Sequence, residues 1–143
     1  MRAGAVPEES EKGSCMDASW TVGRCLLLVE DDEDNRLSMM ALLEDAGFAV
    51  VTAGSYAEAA RLLQRPGGYD AVLLDQGLGD GQGTDLVPLV RRVLPSAKLV
   101  LVTGEDSLPR VQVDGVFLKG KLFDELLVFL WKLLPQPLLR AGS

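Results

Sequence analysis

The sequence predicts an α/β fold, a parallel β-sheet with helices on both faces, and two observations carry that expectation. From Arg24 onward, compact apolar runs alternate with segments of helical periodicity, the order expected of strand-crossover-strand units. Four of the runs also stop at a polar residue: 26–29 before Glu30-Asp31-Asp32, 71–74 before Asp75, 99–102 before Thr103, and 116–118 before Lys119. In a parallel sheet the carboxyl ends of the strands share one edge, where open α/β folds place their ligands. Acids, a hydroxyl and an amine would then meet in one crevice.

Each element follows from local pattern. Residues 1–21 are polar and rich in Gly and Glu, and read as a flexible N-terminal extension. Cys25–Val29 is the first strand. A helix over 35–46 follows, with Leu37, Met40, Ala41 and Leu43 at helical spacing and Gly47 as the stop. Residues 48–53 form the second strand, and Ser55 caps a helix through Arg65 with Glu58 as its capping-box partner, ended by Pro66-Gly67-Gly68. The third strand, 71–74, leads into a glycine-rich loop over 77–83. Thr84 then opens a helix carrying Leu86, Val87, Leu89, Val90 and Val93, with Pro88 early enough for its missing donor to be tolerated. Residues 98–102 and 116–118 are the last two strands, and 122–134 the final helix. The organisation expected is an extension over 1–21, one domain over 22–135 and a tail over 136–143.

Bulk properties narrow the function. A length of 143 residues suits a single domain with its own core. With 48% hydrophobic and 24% charged residues the composition is that of a globular protein, and the net charge of −7 disfavours nucleic acid as a partner. Cys15 and Cys25 do not make a disulfide framework, which points to a reducing, cytoplasmic setting. The acidic first twenty residues do not read as a secretory signal, and the apolar stretch 126–134 is too short to span a bilayer. The chain has no histidine, which excludes Ser-His-Asp and Cys-His catalysis and imidazole zinc ligation. Chemistry here runs on carboxylates.

Crowded carboxylates are unfavourable unless a divalent cation joins them, and hard oxygen ligands suit Mg2+, which keeps several waters and accepts phosphate oxygens. Phosphoryl transfer asks mainly for positioning and charge neutralisation, which Mg2+, Lys119 and the Thr103 hydroxyl would supply. Each residue also has a plainer reading: an acidic run at a helix start favours the helix dipole, and Asp75, Thr103 and Lys119 singly could be turn or surface residues. Other motifs fail. The 77–83 loop lacks the Lys-Ser/Thr of a P-loop, and an EF-hand begun at Asp32 would need glycine where Leu37 stands. A haloacid-dehalogenase-like phosphatase would need an acid at Gly77.

The four motifs together resemble the receiver domain of bacterial response regulators over about 24–134. The resemblance rests on Leu26-Leu27-Leu28-Val29-Glu30-Asp31-Asp32 with Arg36, on Tyr69-Asp70-Ala71-Val72-Leu73-Leu74-Asp75 with Gly81-Gln82-Gly83, on Val102-Thr103-Gly104 and on Phe117-Leu118-Lys119. It implies a flavodoxin-like, doubly wound five-stranded sheet in order 2-1-3-4-5. It further implies Asp75 as acceptor of a phosphoryl group from a partner's phosphohistidine. Asp31 would be a direct Mg2+ ligand, Glu30 an acid holding the ion through water, and Gly77 the donor of a backbone carbonyl. Thr103 and Lys119 would contact the phosphoryl group. The partners implied are a sensor histidine kinase or phosphotransfer protein and a downstream protein target; beyond its own phosphorylation and dephosphorylation the domain is not an enzyme.

The chain departs from the family at several positions. Gly120 follows Lys119 where a cis-proline is usual, so a trans bond or a mobile loop is expected, because a non-proline cis bond costs about 3 to 4 kcal/mol. Gly79 replaces another usual proline, loosening the loop that should supply the Gly77 carbonyl. Val116 stands at the switch-aromatic position with Phe117 one residue off, on the opposite strand face. Only 104–115 remain for the fourth crossover, so the fourth helix should be reduced or absent. The last helix carries a core stripe of Leu122, Leu126, Phe129, Leu130 and Leu133 and a second stripe of Phe123, Leu127, Trp131 and Leu134, either folded over the gap or forming a homodimer or partner surface. A stand-alone receiver is the reading; the competing ones are a phosphorylation-independent pseudo-receiver that works as a protein interaction module, and a metal-dependent phosphatase acting on other substrates.

Overall fold

The computed structural model describes residues 18–64, 67–104 and 112–135. Five parallel strands, β1 (Cys25–Val29), β2 (Ala49–Ala53), β3 (Ala71–Asp75), β6 (Lys98–Thr103) and β7 (Gly115–Leu118), form one sheet in the order β2-β1-β3-β6-β7. A two-residue antiparallel ladder, β4 (Gly77–Leu78) with β5 (Gly81–Gln82), lies between β3 and the next helix. With that ladder set aside the order is 2-1-3-4-5, the order that the resemblance implies.

Strand alternation divides the core into two layers. Leu27, Val29, Val72, Leu74, Leu99 and Leu101 pack with α2 (Tyr56–Leu63) and α3 (Val87–Val93) on one face. On the other, Leu26, Leu28, Leu73, Val100 and Phe117 meet α1 (Glu33–Asp45) and α4 (Phe123–Leu133). Pro88 sits at the start of α3, which is preceded by a 3-10 turn, Gly83–Leu86.

The structure corrects three expectations. The N-terminal extension ends earlier than residue 21: Ala18–Thr21 is a 3-10 turn, Trp20 is buried with its ring edge-on to Phe48 at 5.5 Å, and the Thr21 hydroxyl donates to the Ala46 carbonyl. A large aromatic ring gains too much from that corner to remain in solvent. In α1 Leu43 is buried as predicted, but its inward neighbours are Met39 and the C-cap Ala46, whereas the predicted Leu37 and Ala41 are exposed. In α4, Leu126, Leu130 and Leu134 form the buried line, one residue every four. Leu122 precedes the helix and is 71% exposed, while Phe123 and Leu127 of the second stripe pack against the core and Trp131 remains exposed.

The fourth-helix expectation falls on the β6–β7 connection, of which 105–111 lie outside the described residues; Gly104 and 112–114 are not helical. The remainder of the extension, residues 1–17, and the tail over 136–143 also lie outside them.

Candidate functional site

Parallel register places the strand ends side by side: Val29 beside Leu74, Asp75 beside Val102, Thr103 beside Leu118. The residues that follow therefore emerge along one edge. One carboxylate oxygen from each of Glu30, Asp31 and Asp75 lies within 4.8 Å of the others, the spacing of groups that hold one cation. Asp75 and Glu30 are buried and Asp31 is exposed.

Lys119 reaches this cluster. Its Nζ is 2.8 Å from Asp75 Oδ1, and its amide donates to the Thr103 carbonyl at 2.8 Å, which ties the end of β7 to the end of β6. Among the described residues no peptide bond is cis, and Gly120 takes φ +94°, a conformation that glycine adopts without steric cost. The lysine is thus aimed without the family's proline. Thr103 is buried at the same edge. Val116 packs toward the α2/α3 layer and Phe117 into the α1/α4 layer, 5.5 Å from Phe129, so alternation keeps the ring from the switch position.

Burial and mutual proximity shift the ionisation of the clustered groups. Burial, with the nearby Asp75 carboxylate adding to it, pushes the Glu30 carboxyl up to about 7 against the pull of the Asp32 amide and Lys119. Burial alone would lower the Lys119 ammonium, yet the hydrogen-bonded Asp75, with Glu30 and Asp31 behind it, raises it. A divalent cation would relieve the carboxylates directly. The residues present suit Mg2+: three hard oxygen donors on a rigid sheet edge, with room for waters on the Asp31 side.

The loop after β3 is fastened at both ends. The Gly77 amide lies 3.4 Å from Asp75 Oδ1, and the Gly83 amide donates to the Gln76 carbonyl at 2.9 Å. A Cβ on Gly83 would lie 2.3 Å from the Asp75 carbonyl oxygen, so only glycine fits there. Arg36 donates to the Glu30 carbonyl at 3.1 Å and lies against Gly54, where a Cβ would come within 2.9 Å of its Nη1. Glu58 accepts from the Gly54 amide at 2.7 Å, one residue before the expected capping-box partner.

Two features were not anticipated. Asp80, the one charged residue of the glycine-rich loop, accepts hydrogen bonds from the Tyr56 and Ala57 amides; its isolation among glycines was the available signal. A cavity of about 230 Å3 between α1 and α4, lined by Leu28, Met39, Leu42, Phe117 and Leu126, opens beside Glu30, Asp75 and Lys119. Its walls come from separate elements, and no local pattern announces it.

A five-stranded sheet with this acidic edge defines a class. The family described as the response regulator receiver domain matches residues 26–114, more than half of the chain, and the chain belongs to that family. Among curated proteins it is 40% identical over 86 residues to the photosynthetic apparatus regulatory protein RegA of Cereibacter sphaeroides, covering 59% of this chain and 46% of that one. It is 31% identical over 109 residues to the sensor kinase CckA of Brucella abortus, covering 74% of this chain and 11% of the kinase. The chain therefore spans less than half the length of these relatives. Among solved structures it resembles the Thermotoga maritima response regulator TrrA in complex with Mg(2+)-BeF, at 27% identity and TM-score 0.70, over 78% of this chain and 99% of that one. The chemotaxis protein CheY4 of Vibrio cholerae matches at 25% identity and TM-score 0.72, over 78% and 98%. The chain is a receiver domain of the two-component signalling type.

Proposed function

We propose that Asp75 is the phosphoacceptor of this receiver, that Glu30, Asp31, Asp75 and the Gly77 carbonyl hold Mg2+, and that Thr103 and Lys119 contact the phosphoryl group. The observation that carries the reading is the 2.8 Å pairing of Lys119 with a buried Asp75 inside a three-carboxylate cluster. In the transfer, an Asp75 oxygen forms a bond to phosphorus as the nitrogen-phosphorus bond of a donor phosphohistidine breaks. Mg2+, when bound, supplies charge neutralisation for the phosphoryl oxygens. Lys119 would supply a further positive charge and the Thr103 hydroxyl a hydrogen-bond donor.

The donor is a sensor histidine kinase or a phosphotransfer protein, the setting is cytoplasmic, and output passes by contact with a downstream protein. The resemblance to a complex containing Mg(2+)-BeF supports the ion and the acceptor role together. Among the described residues no helix is long and apolar enough to cross a membrane. The exposed Leu122, Val128 and Trp131 on and beside α4 support a contact face there, for a second copy of this chain or for the target.

Beryllofluoride with Mg2+ tests the reading. Changes in the amide spectrum centred on 75, 103 and 119, abolished by Asp75→Asn, are expected; an unchanged spectrum would instead make the chain a phosphorylation-independent interaction module. Sustained turnover of a phosphate ester would favour a phosphatase.

A further inference from the structure

Glycines at 77, 79, 81 and 83 leave the loop after β3 with little intrinsic stiffness, yet in the proposed metal site it presents the Gly77 carbonyl. Its tip is held from outside. Asp80 Oδ1 accepts from the Tyr56 amide at 2.8 Å and Oδ2 from the Ala57 amide at 3.1 Å, 24 and 23 residues away in the chain. The Ser55 hydroxyl accepts from Glu58 at 3.0 Å and the Ser55 carbonyl from Ala59 at 3.0 Å. The Tyr56, Ala57 and Glu58 amides that open α2 are therefore satisfied, two of them by a carboxylate borrowed from the loop after β3.

The contact bears on the site because the segment it anchors lies over the acids. A Cβ on Gly79 would be 3.5 Å from Asp31 Oδ2, and a Cβ on Gly81 would be 3.0 Å from the Tyr56 ring. Gly77 is three residues from Asp80 and pairs with Gln82 across the short ladder. Backbone bonds on one side and the α2 amides on the other thus fix both flanks of the hairpin. The two hydrogen bonds that the carboxylate accepts also favour its ionised form, so the Asp80 carboxyl lies below its ordinary range.

We infer that Asp80 is a positioning residue for Mg2+ and phosphoryl chemistry at Asp75: by docking on the N-terminus of α2 it holds the glycine-rich hairpin that presents the Gly77 carbonyl. This rests on the proposed metal site. It also links the placement of α2 to occupancy of the site, because a shift of either element breaks the same two hydrogen bonds.

The test compares Mg2+ affinity, by calorimetric titration of the full chain, in wild type, Asp80→Ala, Asp80→Asn and Ser55→Ala. Ser55→Ala removes a cap from the same helix without touching the loop, so it reports the effect of merely weakening α2. Asp80→Ala is expected to weaken Mg2+ about fivefold, less than the roughly tenfold or more typical of groups bonded directly to metal ligands. Asp80→Asn, which keeps an acceptor oxygen, should recover part of that loss, and Ser55→Ala should change affinity less than twofold. Equal affinity in Asp80→Ala and wild type, or equal losses in Asp80→Ala and Ser55→Ala, would overturn the positioning role while leaving the metal site intact. A wild-type chain that binds no Mg2+ would overturn both.

Discussion

Replacing Glu30 with glutamine should alter how stability depends on pH more than it alters stability itself. In the folded chain the Glu30 carboxyl is raised from 4.5 to about 7, first by burial and then by Asp75. A group raised on folding favours the native state in its protonated form, so its contribution is complete below about pH 4.5 and is lost as pH rises through about 7. An unscreened shift of this size corresponds to ~3 kcal/mol. Water reaching the cluster from the exposed Asp31 side reduces this to roughly 1–2 kcal/mol. For a domain of this size that is a Tm change of about 3–6 °C. Glutamine keeps the shape and the acceptor for the Asp32 amide, 3.1 Å from Glu30 Oε2, but does not ionise. Glu30→Gln should therefore match wild type near pH 4.5 and exceed it by about 3–6 °C at about pH 8 without Mg2+. Mg2+ at ten times its Kd should then restore about 1.4 kcal/mol to wild type at the higher pH and much less to the variant. Thermal unfolding followed by circular dichroism, with and without Mg2+, measures both. Parallel Tm-pH curves for the two proteins would refute the assignment of a buried, proton-competing acid to the metal cluster.

Two further substitutions probe the parts that hold the site. Trp20→Ala should destabilise the domain by about 3 kcal/mol, because a buried ring edge-on to Phe48 is lost, and chemical denaturation should show the midpoint falling with the slope unchanged; a loss under about 1 kcal/mol would place the N-terminal turn outside the folded unit. Gly83→Ala sets a methyl 2.3 Å from the Asp75 carbonyl oxygen, so the backbone must yield, at about 1–3 kcal/mol and with displaced amide resonances over 75–83. Unchanged stability and spectrum would contradict that close approach.

The strand ends were legible because each apolar run stops at its functional residue, and a parallel register can only bring such ends together. Glu30, Asp31, Asp75 and Lys119 consequently meet where the motifs place them. Helix faces were less legible. Apolar residues in α1 and α4 exceed what one face can bury, so periodicity alone found Leu43 but did not choose Met39 over Leu37, or Leu134 over Leu122. The docking of Trp20 depends on Phe48, a residue 28 positions away, and no local pattern encodes it. Asp80 was hidden for the same reason: its partners lie on another helix, and its own surroundings read only as a turn. The aim of Lys119, doubtful without proline, is secured by backbone pairing of β7 with β6 and by the positive φ of Gly120.

Incubation with a small phosphodonor and Mg2+, followed by intact-mass measurement and peptide mapping, tests the central claim most directly. Wild type should gain one acid-stable, base-labile phosphoryl group on the peptide containing Asp75, and lose it again over time, while Asp75→Asn gains none. A chain that takes up no phosphoryl group, or takes it up equally after Asp75→Asn, would contradict the assignment of Asp75 as acceptor.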